Sequence, residues 1–100
     1  MDREKILELK ARIVSYRMLR PSVTSAELIA LARDVGRVQD GNGNWVSTSI
    51  FTHPPIIIPV NPSDLNRYVV SEILLYLEDD VYAMDELLDS REENYNDLIN

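Results

Sequence analysis

Residues 45 to 60 read WVSTSIFTHPPIIIPV, the strongest strand-forming sequence in a chain that otherwise reads as helix. Val46, Thr48, Ile50 and Thr52 are β-branched at every second position, while Trp45, Ser47, Ser49 and Phe51 occupy the other face of the same pleat. Pro54 and Pro55 interrupt pairing because they donate no backbone hydrogen bond, and Ile56, Ile57 and Ile58 re-enter as a second run. Three consecutive isoleucines without alternation predict a strand covered on both faces, with Ile57 and Phe51 in the core. Pro59 ends it.

Working outward, Ile6, Leu9, Ile13 and Tyr16 recur at helical spacing and predict a first helix over 3–19, stopped by Pro21. Leu7, Val14 and Met18 widen its apolar stripe beyond one shallow contact, so the helix is expected to be deeply buried or shared with another chain. Thr24 and Glu27 form a capping box for a second helix, with Val23 stapled onto Leu28, and Leu28, Leu31, Ala32 and Val35 form its buried face. Gly36 closes that helix in the left-handed conformation. Arg37 to Gln39 then form a short strand, and Asp40-Gly41-Asn42-Gly43 a turn before Trp45.

Beyond the isoleucines, Asn61 and Pro62 carry N-cap chemistry, and Val69, Val70, Ile73, Leu74 and Leu77 mark a helix over 67–77. Asp79-Asp80 is expected to cap a further helix bearing Val81, Met84, Leu87 and Leu88. Ser90 with Glu93 supplies another capping box before Tyr95, Leu98 and Ile99. One bent helix or two separate ones fit residues 79–99.

One hundred residues make one domain with a core of its own. The absence of cysteine removes disulfides, thiolate metal sites and thiol catalysis, and no apolar run approaches the roughly 20 residues of a membrane helix. The expectation is a cytoplasmic protein without a membrane segment. The net charge of −7 is unevenly placed: residues 1–37 hold eight basic and five acidic side chains, residues 38–100 two basic and twelve acidic. Such a split allows the first helix to lie on the last, or the acidic end to meet a basic partner, or simply a solvated acidic helix.

Between Ser25 and Glu78 the order of elements resembles the HicA toxin family, small ribonucleases of bacterial toxin–antitoxin pairs. The resemblance rests on Glu27-Leu28-Ile29 opening a helix, Gly36 closing it, Phe51-Thr52-His53-Pro54 after a strand, Pro59 ending the next, and Ile73-Leu74 in the final helix. It implies an α+β fold like that of double-stranded-RNA-binding domains, a three-stranded antiparallel sheet flanked by helices. Around this middle, 25–78, the chain adds an N-terminal helix and an acidic helical extension over 79–99. The family's Gly-Ser-His-His run falls on Val46-Ser47-Thr48-Ser49, so Thr48 stands where the resemblance places the catalytic histidine. A threonine hydroxyl cannot exchange a proton near neutral pH as imidazole does. The family's chemistry therefore does not carry over.

His53 is the only histidine and the only candidate general base on the sheet, catalytic only if the chain is a divergent ribonuclease. With no cysteine beside it, zinc is not expected, and the carboxylates near residue 80 lack calcium-loop spacing. No cofactor or small-molecule substrate is inferred. Trp45 and Phe51 offer aromatic faces to nucleobases, but a basic track is absent after Arg37 except for Arg67 and Arg91, so RNA binding is not expected unless Lys5, Lys10, Arg12 and Arg17 form a basic face. The first reading is a non-catalytic HicA-like module that binds a protein partner or dimerises, with Asp79, Asp80, Asp85, Glu86 and Asp89 as partner-binding residues. The alternatives are a divergent ribonuclease toxin and an unrelated small α+β protein.

Overall fold

The computed structural model describes residues 2–19, 22–47 and 53–99, the last nine of these as backbone only. The helix stop expected at Pro21, the strand positions Thr48 to Thr52 with Phe51, and the side chains of Glu93, Tyr95, Leu98 and Ile99 fall outside the described residues. Among the described residues, three helices and a two-stranded hairpin follow in the order α1 (Arg3–Met18), α2 (Ser25–Val35), β1 (Arg37–Gln39), β2 (Trp45–Ser47) and α3 (Arg67–Ile99), with a 3-10 turn at Pro62–Asp64 before α3.

Local chemistry accounts for α1 and α2. The Asp2 side chain accepts from the Lys5 N–H at the start of α1, and Ile6, Leu9 and Ile13 point into the core. The Thr24 capping box forms with both reciprocal bonds, and the buried residues of α2 are Leu28, Leu31, Ala32 and Val35. Gly36 closes the helix at φ 110°, which a residue with a Cβ adopts only under strain. In the turn, the Asp40 carboxylate accepts from the Asn42 and Asn44 N–H groups, and the strands pair in the register Arg37 with Ser47 and Gln39 with Trp45.

The expected three-stranded sheet is corrected to two strands. Ile56 reaches the outer edge of β2 but makes one isolated bridge, exchanging N–H···O bonds of 2.7 and 2.9 Å with Trp45. From that pair, the neighbouring hydrogen-bonded positions would be Ser47 with Pro54 and Gly43 with Ile58. Pro54 has no N–H to give, and Gly43 is committed to the turn, where its N–H bonds the Asp40 carbonyl. The ladder stops in both directions. The isoleucines consequently alternate, Ile56 and Ile58 buried and Ile57 71% exposed, so the expectation that Ile57 lies in the core is also overturned.

The third correction concerns the C-terminal half, where 67–77 and 79–99 form one continuous helix of 33 residues. No glycine or proline follows Pro62, and a capping sequence with no preceding stop signal does not end a helix. Val70, Ile73, Leu74, Leu77 and Val81 of α3 close the core against α1 and α2, with Trp45, Ile56 and Ile58 at the hairpin end. At about 1.5 Å per residue α3 is about 50 Å long, close to the molecule's longest dimension of 57 Å. The radius of gyration, 15.1 Å, exceeds the roughly 13 Å of a compact chain of this size.

Candidate functional site

The most concentrated chemistry in the molecule surrounds Asp80. Gly36 turns the chain so that Arg37, the first residue of β1, points inward, and α3 presents Asp80 on the same buried side as Ile73 and Leu77. Both side chains are almost wholly enclosed, at 1% and 2% exposure. The Arg37 Nε and Nη2 donate to the two carboxylate oxygens at 2.6 and 3.0 Å, a bidentate pair. Nη1 donates to the carbonyls of Trp45 at 2.9 Å and Pro54 at 2.8 Å. One guanidinium thus ties α3, both strands and the chain leading to Ile56 together.

His53 completes the cluster, with Nδ1 in contact with the Asp80 Oδ1 and its side chain 25% exposed. A carboxylate on Nδ1 is the arrangement that orients a catalytic imidazole. Here, however, the same carboxylate receives two hydrogen bonds from a buried arginine, so its charge is already compensated without His53. The expected position of the family histidine, Thr48, lies outside the described residues. Among the described residues no three histidine or carboxylate side chains converge as metal ligands.

The carboxylates read as a partner-binding group separate into two kinds. Asp80 is buried, Asp85 accepts from Arg3 and Lys10, and Asp89 accepts from Arg3 at 2.6 Å. Asp79 and Glu86 are exposed on α3 and, among the described residues, pair with no cation. The hydrogen bond from Lys10, reinforced by the charges of Lys10 and Arg3, holds the Asp85 carboxyl below its ordinary pKa.

The basic residues of α1 do not form a nucleic-acid track. Arg17 pairs with Glu78, Lys5 with Glu8, and Arg12 with Glu8 and with Asp34 at 2.7 Å. Burial works against the Arg12 charge, but its hydrogen bonds to Asp34, Tyr16 and Glu8 outweigh that and raise its pKa. The Arg17 pKa is likewise raised, chiefly by Glu78. Lys10 also lies 4.4 Å from the centre of the Tyr82 ring. Of the three uses open to the uneven charge, the first helix lying on the last is the one observed. Trp45 is 3% exposed with Arg33 over its ring at 5.3 Å, which leaves no face for a nucleobase.

Sequence reasoning missed Arg37 as anything but a strand residue and read Asp80 as a helix cap on an exposed acidic face, open to solvent or to a partner. The signal for Asp80 was present: Ile73, Leu77, Asp80 and Val81 are spaced at four, three and one, which places a carboxylate on the apolar face and requires a buried cation beside it. No helix among the described residues is long and apolar enough to cross a membrane. No family model, no curated protein and no solved structure matches the chain.

Proposed function

We propose that the chain is a non-catalytic protein-interaction module that engages its partner through the outward side of α1. The observation that carries this reading is one line of apolar side chains on that side. Leu7, Val14 and Met18 are 60%, 55% and 82% exposed, with exposed Ala11 between them, opposite the face that enters the core. Contiguous apolar surface of this kind on a small domain marks an interaction site. Descent from a HicA-like toxin belongs to the same proposal and rests on the residue order between Ser25 and Glu78; the two-stranded sheet lends it no support.

The observation favouring a ribonuclease is the contact of His53 with Asp80. Against it stand the compensation of Asp80 by Arg37, the enclosure of Trp45 and the pairing of the α1 cations with acids of the same chain. The purified protein is expected neither to cleave a mixed RNA pool nor to bind it at physiological salt, because non-specific binding needs cations free to displace counterions from phosphates. Cleavage that disappears in His53→Ala would establish the ribonuclease instead. In parallel, light scattering and cross-linking in native extract compare the chain with Leu7→Glu/Val14→Glu. A monomer that acquires no α1-dependent partner refutes the module.

A further inference from the structure

The apolar line on α1 has a counterpart on α3. Leu75 and Tyr82, seven residues apart, are 50% and 49% exposed on the outward side of that helix. Three residues on from each stand Glu78 and Asp85, the acids that take Arg17 and Lys10 from α1. Those same cations lie three residues on from Val14 and Leu7. The ion pairs therefore form the floor of a shallow groove, with Leu7, Val14 and Met18 along one wall and Leu75 and Tyr82 along the other. Lys10 crosses it, its ammonium 4.4 Å from the centre of the Tyr82 ring. Both pairs are half-buried, so the stems of Lys10 and Arg17 add apolar surface to the floor. The second helix leaves the groove open, because it packs on the other flank of α1, where Arg12 meets Asp34.

The rims define what lies in it. Glu72, Asp79 and Glu86 border the α3 wall, three or four residues from Leu75 and Tyr82; all three are exposed and, among the described residues, pair with no cation. Glu4 and Glu8 border the α1 wall. Glu8 is held by Lys5 and Arg12, while Glu4 pairs with no cation among the described residues. The cations nearest the groove, Arg3, Lys10 and Arg17, are already committed to acids of α3. A second copy laid face to face would therefore set acid against acid in either orientation, since both rims carry it. A helix with an apolar seam and lysine or arginine on both flanks matches the walls and the rims together. From Glu72 to Glu86 the α3 rim runs about 21 Å, which is about two heptads of such a helix.

We propose that a basic amphipathic helix of another protein lies along the groove between α1 and α3, as one more helix of the bundle. This names the partner of the α1 face and rests on that reading. The probe is a fluorescent three-heptad peptide with leucine along its seam and lysine and arginine on both flanks, titrated with the full chain and followed by anisotropy. Saturable binding is expected, falling at least about ten-fold in Leu75→Gln/Tyr82→Gln. Leu75→Gln alone, which leaves the contact of Lys10 with Tyr82 in place, should weaken binding in the same direction. Asp79→Asn/Glu86→Gln should weaken it at least about two-fold at about 50 mM salt, an effect that fades by about 300 mM. Those two acids are exposed and outside the core, so thermal unfolding of that variant should match the parent's. Ile57→Gln, at the hairpin end, should leave the affinity unchanged, and a matching peptide with glutamate flanks should not bind. Binding lost in Leu7→Gln/Val14→Gln yet unmoved by either α3 variant would leave the α1 face standing and overturn the groove. Absence of binding, equal binding of the glutamate-flanked peptide, or self-association of the chain lost in Leu75→Gln/Tyr82→Gln would each overturn it as well, while the α1 face is judged separately by the scattering and cross-linking comparison.

Discussion

Asp80→Leu should be among the most damaging single substitutions in this chain, although its site sits in the helix with the most acidic surface. The substitution removes both hydrogen-bonded oxygens facing Arg37 and leaves a guanidinium that is 1% exposed without a counter-charge. Breaking one side of a buried pair costs about 3–5 kcal/mol. With a urea m-value of about 1–3 kcal/mol/M, the unfolding midpoint should fall by about 1–5 M. A small domain holds about 5–15 kcal/mol in all, so a population of unfolded protein should already be visible at 37 °C.

The double substitution Arg37→Met/Asp80→Leu distinguishes a buried charge from a lost contact. With both charges gone the desolvation penalty vanishes, and the remaining defects are the carbonyls that Arg37 served and the lost contact of His53 with Asp80, which the single variant shares. The Trp45 carbonyl keeps its bond from the Ile56 N–H at 2.9 Å, whereas that of Pro54 loses the 2.8 Å bond from Arg37. One partly buried carbonyl without a partner costs about 1–3 kcal/mol. The double variant should therefore be more stable than Asp80→Leu alone. Urea titrations followed by circular dichroism at several protein concentrations give both numbers. A loss below about 1 kcal/mol for the single variant, or a double variant no better than the single, would refute the reasoning about uncompensated charge.

The alternation of the isoleucines makes a second comparison: Ile56→Ala should cost about 2–5 kcal/mol, and Ile57→Ala should stay within about 0.5 kcal/mol, as measured by thermal or urea unfolding. Thr24→Ala removes one half of the capping box and should cost about 1 kcal/mol, with the loss of amide protection in hydrogen exchange concentrated at the start of α2. Because the folded-state pKa of Asp85 is lowered by Lys10, its contribution is present above the unfolded carboxyl value and is lost as pH falls through the folded one, below about pH 4. Asp85→Asn should flatten that part of the acid-unfolding curve and leave the neutral plateau's slope unchanged.

What the sequence made legible was local chemistry. Thr24 with Glu27, Gly36, and the Asp40 turn each act through bonds within a few residues, and each forms as read. The edge of the sheet was not legible in the same way. Pro54 breaks a ladder only if it lands on a hydrogen-bonded position, and that depends on the pairing of Trp45 with Ile56 across the loop. The unbroken α3 was misread for a related reason. Capping residues such as Asp79 report that a helix can start, while only a stop signal reports that one has ended. Asp80 was hidden by its neighbours, because a run of acids reads as a solvated face until the helical register isolates the one carboxylate that points inward.

The two charge patterns on α3 do different physical work. Lys10 and Arg17 are seven residues apart on α1, as are Asp85 and Glu78 on α3, and the pairs Lys10 with Asp85 and Arg17 with Glu78 form only when the helices run antiparallel. Sliding α1 by one repeat would set Lys10 against Glu78 and Arg17 against Ser71. Exposed and half-exposed ion pairs contribute little to stability individually. Their matched spacing instead penalises the wrong orientation and the wrong register, which apolar stripes of similar width leave nearly degenerate. Asp80 differs because it is enclosed, so it bears on the free energy of the fold itself.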